Sequence, residues 1–360
     1  MYIDEIPSRE HWIEGVSTTT TAFLGRSDLG PVGTATEVMT FREFTETFGE
    51  LDRRYELAHA VQAFFENGGL RAWVVRVADG ESLAEGLTAL DVVKEFSLLC
   101  LPGEVDVATL RLALANAKRS GAFVIVDPPG LELRSAVGLA HALADADGAY
   151  GAIYYPPLRV ARAGEGARVS SPSGSVAGIY VRTDQTRGVW KAPGGLDATL
   201  LGGYRPAVAV DDAQASQLNI AGVNCIRDFR GPRPVLWGVR TILGGEPSNS
   251  EWKYVSVRRL AIYLEHSIDK GTRWAVFEPN DEVLWAKVRL ALESFMVNLW
   301  RAGAFKGRTP AEAFFVRCDR QTMTQDDLDN GRMRVVVGFA PLKPAEFVHL
   351  EITQLMAASI

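Results

Sequence analysis

The chain has 360 residues, with 38 Lys and Arg against 44 Asp and Glu, a formal net charge of −6 at neutral pH. Apolar residues make up 47% and charged residues 23%, the profile of a folded globular chain, which excludes disorder and collagen-like repeats. The acidic balance argues against a general nucleic-acid binder, which would carry a basic stripe, and no apolar run reaches the ~20 residues of a bilayer-spanning helix.

The first residues, MYIDEIPSREHWIEG, lack the basic and apolar regions of a secretory signal. Cys100, Cys225 and Cys318 are far apart and form no CxxC pair, so the simplest expectation is a protein of the reducing cytoplasm. YIDEI (2–6) reads as a short extended arm, followed by a first strand at about 20–25. Residues 52–69 keep helical spacing through Leu57, Ala58, Val61, Phe64 and Phe65, and Gly68–Gly69 ends that helix; 70–80 is the next strand.

From 92 to 158 the pattern is regular. Apolar runs at 96–101, 122–127 and 151–156 alternate with helical stretches near 105–119 and 132–146. Nearly continuous apolar strands of this kind fit a parallel sheet covered on both faces, so a βαβαβ unit is expected. Residues 161–175, rich in Gly, Ser and Arg, read as an exposed loop or linker; the stretch 173–195 follows with no element assigned, and then an irregular segment through 222. Strands are then expected at 223–230 and 234–242, long amphipathic helices at 251–271 and 281–303, and strands at 312–318, 331–341 and 346–354. Trp274, Phe277, Trp285, Phe295 and Trp300, on or beside the two helices, are expected in the core.

The chemistry-bearing motifs fail one by one. FVIVD (123–127) looks like the apolar strand and Asp of a Walker B segment, but there is no GxxxxGK[ST] loop, so Asp127 reads as the end of a strand. DDLDNG (326–331) has Leu328 and Val337 where a calcium loop needs oxygen ligands, leaving an acidic capped turn. The five histidines show no HExxH or HxxxH spacing, and GSVAG (174–178) carries its serine at the wrong position for a nucleophile elbow. No catalytic residue, metal or cofactor is assigned. The segment EFVHLEITQ alternates Val348, Leu350 and Ile352 with polar residues. That pattern fits the last strand of the domain's own sheet, or a strand that completes a neighbour's sheet at its edge.

Several segments in unbroken order resemble the contractile tail sheath family of myophages, phage-tail-like injection systems and R-type bacteriocins. They include YIDEIPS (2–8), GVSTTTTAFLG (15–25), FFENGGLRAWVVRV (64–77), PSGSVAGIYVRTDQTRGVWKAP (172–193), GVNCIRDFRG (222–231), VLWGVRT (235–241), EWKYVSVRRL (251–260) and the stretch to TQ (353–354). Two departures stand out: Met1 precedes Tyr2 directly, where members usually carry a few more residues, and the chain is short for the family, which favours the compact sheaths of injection systems or bacteriocins.

The resemblance implies an α/β to α+β fold with two lobes: a smaller βαβαβ lobe, and a mixed-sheet C-terminal domain flanked by the two long helices. Expected divisions are an N-terminal arm at 1–20, core-packing segments at 21–80, the α/β lobe at 81–165, a connection at 166–222, the C-terminal sheath domain at 223–345 and a C-terminal arm at 346–360. It implies a structural subunit that polymerises as stacked hexameric rings around an inner tube, with baseplate and terminal cap proteins as further partners and neither nucleic acid nor membrane bound directly. Assembly is expected in the bacterial cytoplasm, within a phage tail or tail-like particle open to release by lysis. The arms would place Tyr2, Ile3, Asp4, Glu5 and Ile6 of one subunit and Val348, Leu350 and Ile352 of another on the sheet of a third. The acidic turn Asp326, Asp327 and Asp329 is a candidate to face a basic tube surface, a solvated turn being the plainer reading. The contrasting reading is a cytosolic α/β enzyme that binds a small ligand at the strand ends near Asp127.

Overall fold

The apolar runs pair side by side in the computed structural model, which describes residues 12–93, 95–162, 166–229, 231–245 and 250–344. In chain order the first half comprises β1 (Thr20–Gly25), β2 (Ala35–Val38), α1 (Phe41–Phe48), α2 (Leu57–Glu66), β3 (Arg71–Arg76), β4 (Leu98–Cys100), α3 (Val107–Ser120), β5 (Phe123–Val126), α4 (Leu133–Leu143) and β6 (Gly151–Tyr155). The expected βαβαβ unit is present: Leu98 pairs with Phe123 and Val124 with Gly151, both in parallel. Its boundaries follow local chemistry. Asp106 accepts from the Thr109 amide to start α3, and Gly121, at φ 72°, takes the left-handed turn that ends it.

Where a loop is expected at 161–175, the described residues form strands and a helix. β7 (Leu158–Arg162) and β8 (Gly166–Ser170) form an antiparallel hairpin, extended across β7 by β9 (Arg205–Pro206). Then comes α5 (Ser173–Arg187), in which every residue from Ser173 to Val181 is buried. A helix covered on all sides has no polar face, so it shows no amphipathic period. Its glycines let it press onto α2: a Cβ on Gly174 would stand 2.0 Å from the Ala60 carbonyl oxygen, and one on Gly178 2.5 Å from that of Phe64. The GSVAG stretch is therefore a helix-packing surface.

α6 (Asp212–Ile220), β10 (Val223–Arg227) and β11 (Val235–Trp237) complete an eight-stranded sheet ordered β11-β10-β6-β5-β4-β1-β3-β2. The outermost strands, β11 and β2, run antiparallel to their neighbours. Strands from 20–76, 98–155 and 223–237 thus share one sheet, so the divisions expected at 80 and 223 fall inside a single lobe. Helices α2 and α5 cover one face with Phe64, Tyr180 and Ile179, and α3 and α4 cover the other with Leu114, Ala117 and Leu139.

The second lobe contains α7 (Val255–Thr272), α8 (Glu282–Arg301), α9 (Pro310–Ala313), β12 (Phe314–Arg317), α10 (Gln325–Asp329) and β13 (Val336–Phe339). Helix α7 belongs to both cores: Val255 and Ile262 pack with the sheet lobe, whereas Leu260 and Leu264 join Trp285, Val288 and Phe295. Burial of each such side chain contributes roughly 1.5–3 kcal/mol. Trp285 and Phe295 are buried as expected, but Phe277 is fully exposed, because it sits in the loop between α7 and α8, outside either helical period.

The segment before β1 is tied along α7. The Val16 amide donates to Ser267 Oγ at 3.0 Å, Arg259 Nη2 donates to the Thr18 carbonyl at 3.5 Å, and Ile13 packs against Gly271.

Candidate functional site

Asp127 is the natural first place to look for chemistry, since it lies at the carboxyl end of β5. Its carboxylate is buried and held at both oxygens: it accepts from the Gly103 amide at 3.0 Å and from the Ser173 amide and hydroxyl, both at 2.8 Å. Burial pushes its pKa up to about 6, against the pull of those three donors. The group staples the β4–α3 turn to the start of α5, with both carboxylate oxygens engaged by the protein itself. All three cysteine thiols are buried, and burial raises Cys225 to about 12 and Cys318 to about 11, far from a reactive thiolate. Among the described residues no three His, Cys, Asp or Glu side chains converge as metal ligands, and no helix is long and apolar enough to cross a membrane.

The acidic turn is split by the fold. Asp326 and Asp329 are exposed, Asp326 within reach of Asn330 at 2.9 Å and Arg332 at 3.4 Å, and Asp329 accepting from Gln325 at 2.8 Å. Asp327 points inward and cannot face a partner. It closes a capping box with Thr324, whose hydroxyl donates to it at 2.7 Å, and Arg334 lies 3.0 Å away. The Thr324 hydrogen bonds hold its pKa below the usual carboxylate value.

Tyr2, Ile3, Asp4, Glu5, Ile6, Val348, Leu350 and Ile352 lie outside the described residues. β12 and β13 form a two-stranded antiparallel sheet, with Val316 opposite Val337, and among the described residues no further strand joins it. One end of β13 is met by a bridge between Phe305 and Pro341. A two-stranded sheet is marginal in water, and its unpaired backbone groups form a template for further strands.

A groove of 570 Å³ opens beside this sheet, where the lobes meet. Its walls come from the end of α5 and the turn after it (Arg187, Trp190, Lys191), the end of β11 (Trp237) and the chain after β13 (Leu342, Lys343). All charged side chains in its lining are cationic. Sequence reasoning missed this groove, since its walls are assembled from positions more than 150 residues apart; the Trp-Lys pair in GVWKAP was the one local hint.

Two family models cover most of the chain: the phage tail sheath protein central domain over residues 77–242, and the phage tail sheath C-terminal domain over 247–354. The fold is similar to the sheath of the anti-feeding prophage in its contracted state, with 31% identity, a TM-score of 0.81 and 98% of each chain covered. The chain belongs to the phage tail sheath family. It is likewise similar to the sheath complex of the extracellular contractile injection system PVC in the contracted state, at 29% identity and TM-score 0.83, over 98% of this chain and 96% of that one. A curated relative, the tail sheath protein of Vibrio phage KVP40, is 26% identical over 179 residues, which are 49% of this chain and 25% of the relative. The chain thus spans a quarter of that phage protein's length. Family and structural likenesses identify a structural sheath subunit, and the enzyme reading finds no support in them.

Proposed function

We propose that this chain builds a contractile sheath: six subunits form a ring, rings stack helically around an inner tube, and the lattice shortens to drive that tube through a target envelope. The observation that carries this is the end-to-end likeness to sheath subunits solved in the contracted state, over 98% of both chains in one case. A head-to-tail interface whose rotation does not close generates an open helix, which is the geometry a sheath needs. A match to a baseplate assembly, at 30% identity and TM-score 0.77, supports a baseplate as a further partner, with the tube and a terminal cap completing the set. The particle would assemble in the bacterial cytoplasm, with neither nucleic acid nor membrane bound directly by this subunit.

In this reading the segments holding Tyr2–Ile6 and Val348–Ile352 add strands to the open edges of the β12–β13 sheet of neighbouring copies. Exposed Asp326 and Asp329 then face the tube. Contraction is a rigid-body change of packing, driven by the difference in interface free energy between two lattices, so no nucleotide is consumed.

Negative-stain electron microscopy of the protein expressed alone, and with the tube and baseplate proteins encoded beside it, tests the proposal. Hollow tubes with a helical surface are expected in at least one arm. Discrete particles in both arms would overturn it.

A further inference from the structure

We propose that Asn330–Gly331 is a site of spontaneous deamidation, where the free subunit gains a negative charge and a rearranged backbone at the end of the acidic turn. The chain holds two Asn-Gly dipeptides, Asn67–Gly68 and Asn330–Gly331. A glycine has no Cβ to shield its amide nitrogen, which can then bond to the side-chain carbon of the asparagine before it. The fold decides which of the two pairs reacts.

The reaction needs only water. The Gly331 nitrogen, losing its proton to hydroxide, attacks Asn330 Cγ; the Cγ–Nδ2 bond breaks and ammonia leaves with a proton from water. Water then opens the cyclic imide. Hydrolysis at Cγ gives aspartate, and hydrolysis at the main-chain carbonyl gives isoaspartate, which carries one extra methylene in the backbone. Nothing is oxidised or reduced.

Asn67 is locked against this chemistry. It is fully buried at the end of α2, where Nδ2 donates to the Ala63 carbonyl and Oδ1 accepts from the Leu201 amide, both at 2.8 Å. Turning that side chain would leave Nδ2, Oδ1 and the Leu201 amide unpaired in the core. Each such loss lowers the reactive population roughly thirtyfold, so three multiply to about 10⁴.

Asn330 is exposed at the end of α10. Its Nδ2 donates to the Asp326 carbonyl at 2.7 Å and to Asp326 Oδ1 at 2.9 Å, and the Gly331 amide donates to the Leu328 carbonyl at 3.1 Å. These groups meet water when they open, so each bond slows the reaction only about fivefold, or about 10² together. A Cβ built on Gly331 meets nothing within 4 Å, so the space around the reacting pair is open.

The product alters the turn. A carboxylate at position 330 cannot donate to Asp326 and places a like charge beside it. In the isoaspartate form the added methylene also shifts the Arg332 amide, which donates to the Asp327 carbonyl at 2.7 Å. Resting on the tube-facing reading above, assembly covers this turn, so the modification belongs to the subunit before it joins a sheath.

The test incubates the full chain in mildly alkaline buffer, then reads both sites by peptide mass spectrometry and by labelling with an isoaspartyl methyltransferase. In the folded protein, conversion at Asn330 is expected about a hundredfold faster than at Asn67. In urea the two are expected to convert at comparable rates. Asn330→Gln, which would have to close a larger ring, is expected to abolish the signal at 330 and leave Asn67 unchanged. A folded-state rate at Asn330 no faster than at Asn67, or conversion at 330 seen only in urea, overturns the proposal, whether or not the chain forms tubes. Tube-filled sheaths are expected to convert more slowly than free subunits. Equal rates in the two would remove the tube-facing placement and the shielding while leaving the deamidation site in place.

Discussion

Arg259 of α7 grips Asp184 of α5 in a two-pronged ion pair: Nη1 and Nη2 donate to the two carboxylate oxygens at 2.9 and 2.6 Å, with the side chains only 3% and 0% exposed. Beside it, the buried hydroxyls of Tyr154 and Tyr180 share a hydrogen bond of 2.8 Å, and the guanidinium stands 5.0 Å from the Tyr180 ring centre. Because α7 also holds the second lobe, this pair bolts the lobes and the segment before β1 into one body. That is the property a subunit needs if the lattice, rather than the protomer, rearranges.

Removing one member of the pair leaves a buried charge uncompensated. Arg259→Met and Asp184→Leu should each lower stability by about 3–5 kcal/mol, and combining them should recover much of the loss. Urea unfolding of the two single variants and the double variant measures this; additive losses would show that the pair does not act as a unit.

The close approach of α2 and α5 makes a second prediction. An added methyl at Gly174 meets backbone, which cannot step aside as a flexible side chain would. Gly174→Ala should cost about 1–3 kcal/mol as an overpacked contact, despite the higher helix propensity of alanine. A denaturation midpoint equal to wild type would contradict the packing described.

Asp127 sets a pH dependence with a definite sign. Its folded pKa of about 6 lies above the ordinary value of 3.8, so its contribution to stability is fully present below pH 3.8 and is lost as pH rises through about 6. The span corresponds to about 3 kcal/mol. Over pH 4–7 the urea midpoint of wild type should fall relative to that of Asp127→Asn, which has no charge to titrate. Parallel profiles would remove Asp127 from the account.

The acidic turn should separate into fold and surface. Asp327→Ala removes a cap and a partner of Arg334, and should lower stability by about 1 kcal/mol. Asp326→Lys/Asp329→Lys should leave melting within about 0.5 kcal/mol of wild type, as surface changes usually do, while reducing co-assembly with the tube protein. Tube-filled sheaths in normal yield from that variant would remove the tube-facing role.

Deleting residues 346–360 should leave a folded subunit that forms rings or monomers but no long tubes. Electron microscopy reads the outcome, and long tubes from the truncated chain would exclude this segment from strand addition.

The sequence by itself determined the elements whose signals are local. The parallel strands at 98–155 announce themselves as continuous apolar runs, and α8 shows a one-sided apolar stripe because it keeps a face in water, as does the second half of α7. The segments resembling the sheath family were also legible, since they rest on residue order alone. Only the tertiary structure decided the rest. α5 was hidden because burial on every side erases the period that marks a helix, and the hairpin at 158–170 because its Gly, Ser and Arg content resembles a loop until β9 pairs with it. That β10 and β11 join the N-terminal strands in one sheet is a pairing across some 70 residues or more, which no local pattern encodes. The same holds for the inward turn of Asp327 and for the gathering of Arg187, Lys191 and Lys343. A side chain's direction and a surface's charge depend on which distant segments pack together, and that choice is made by the whole core.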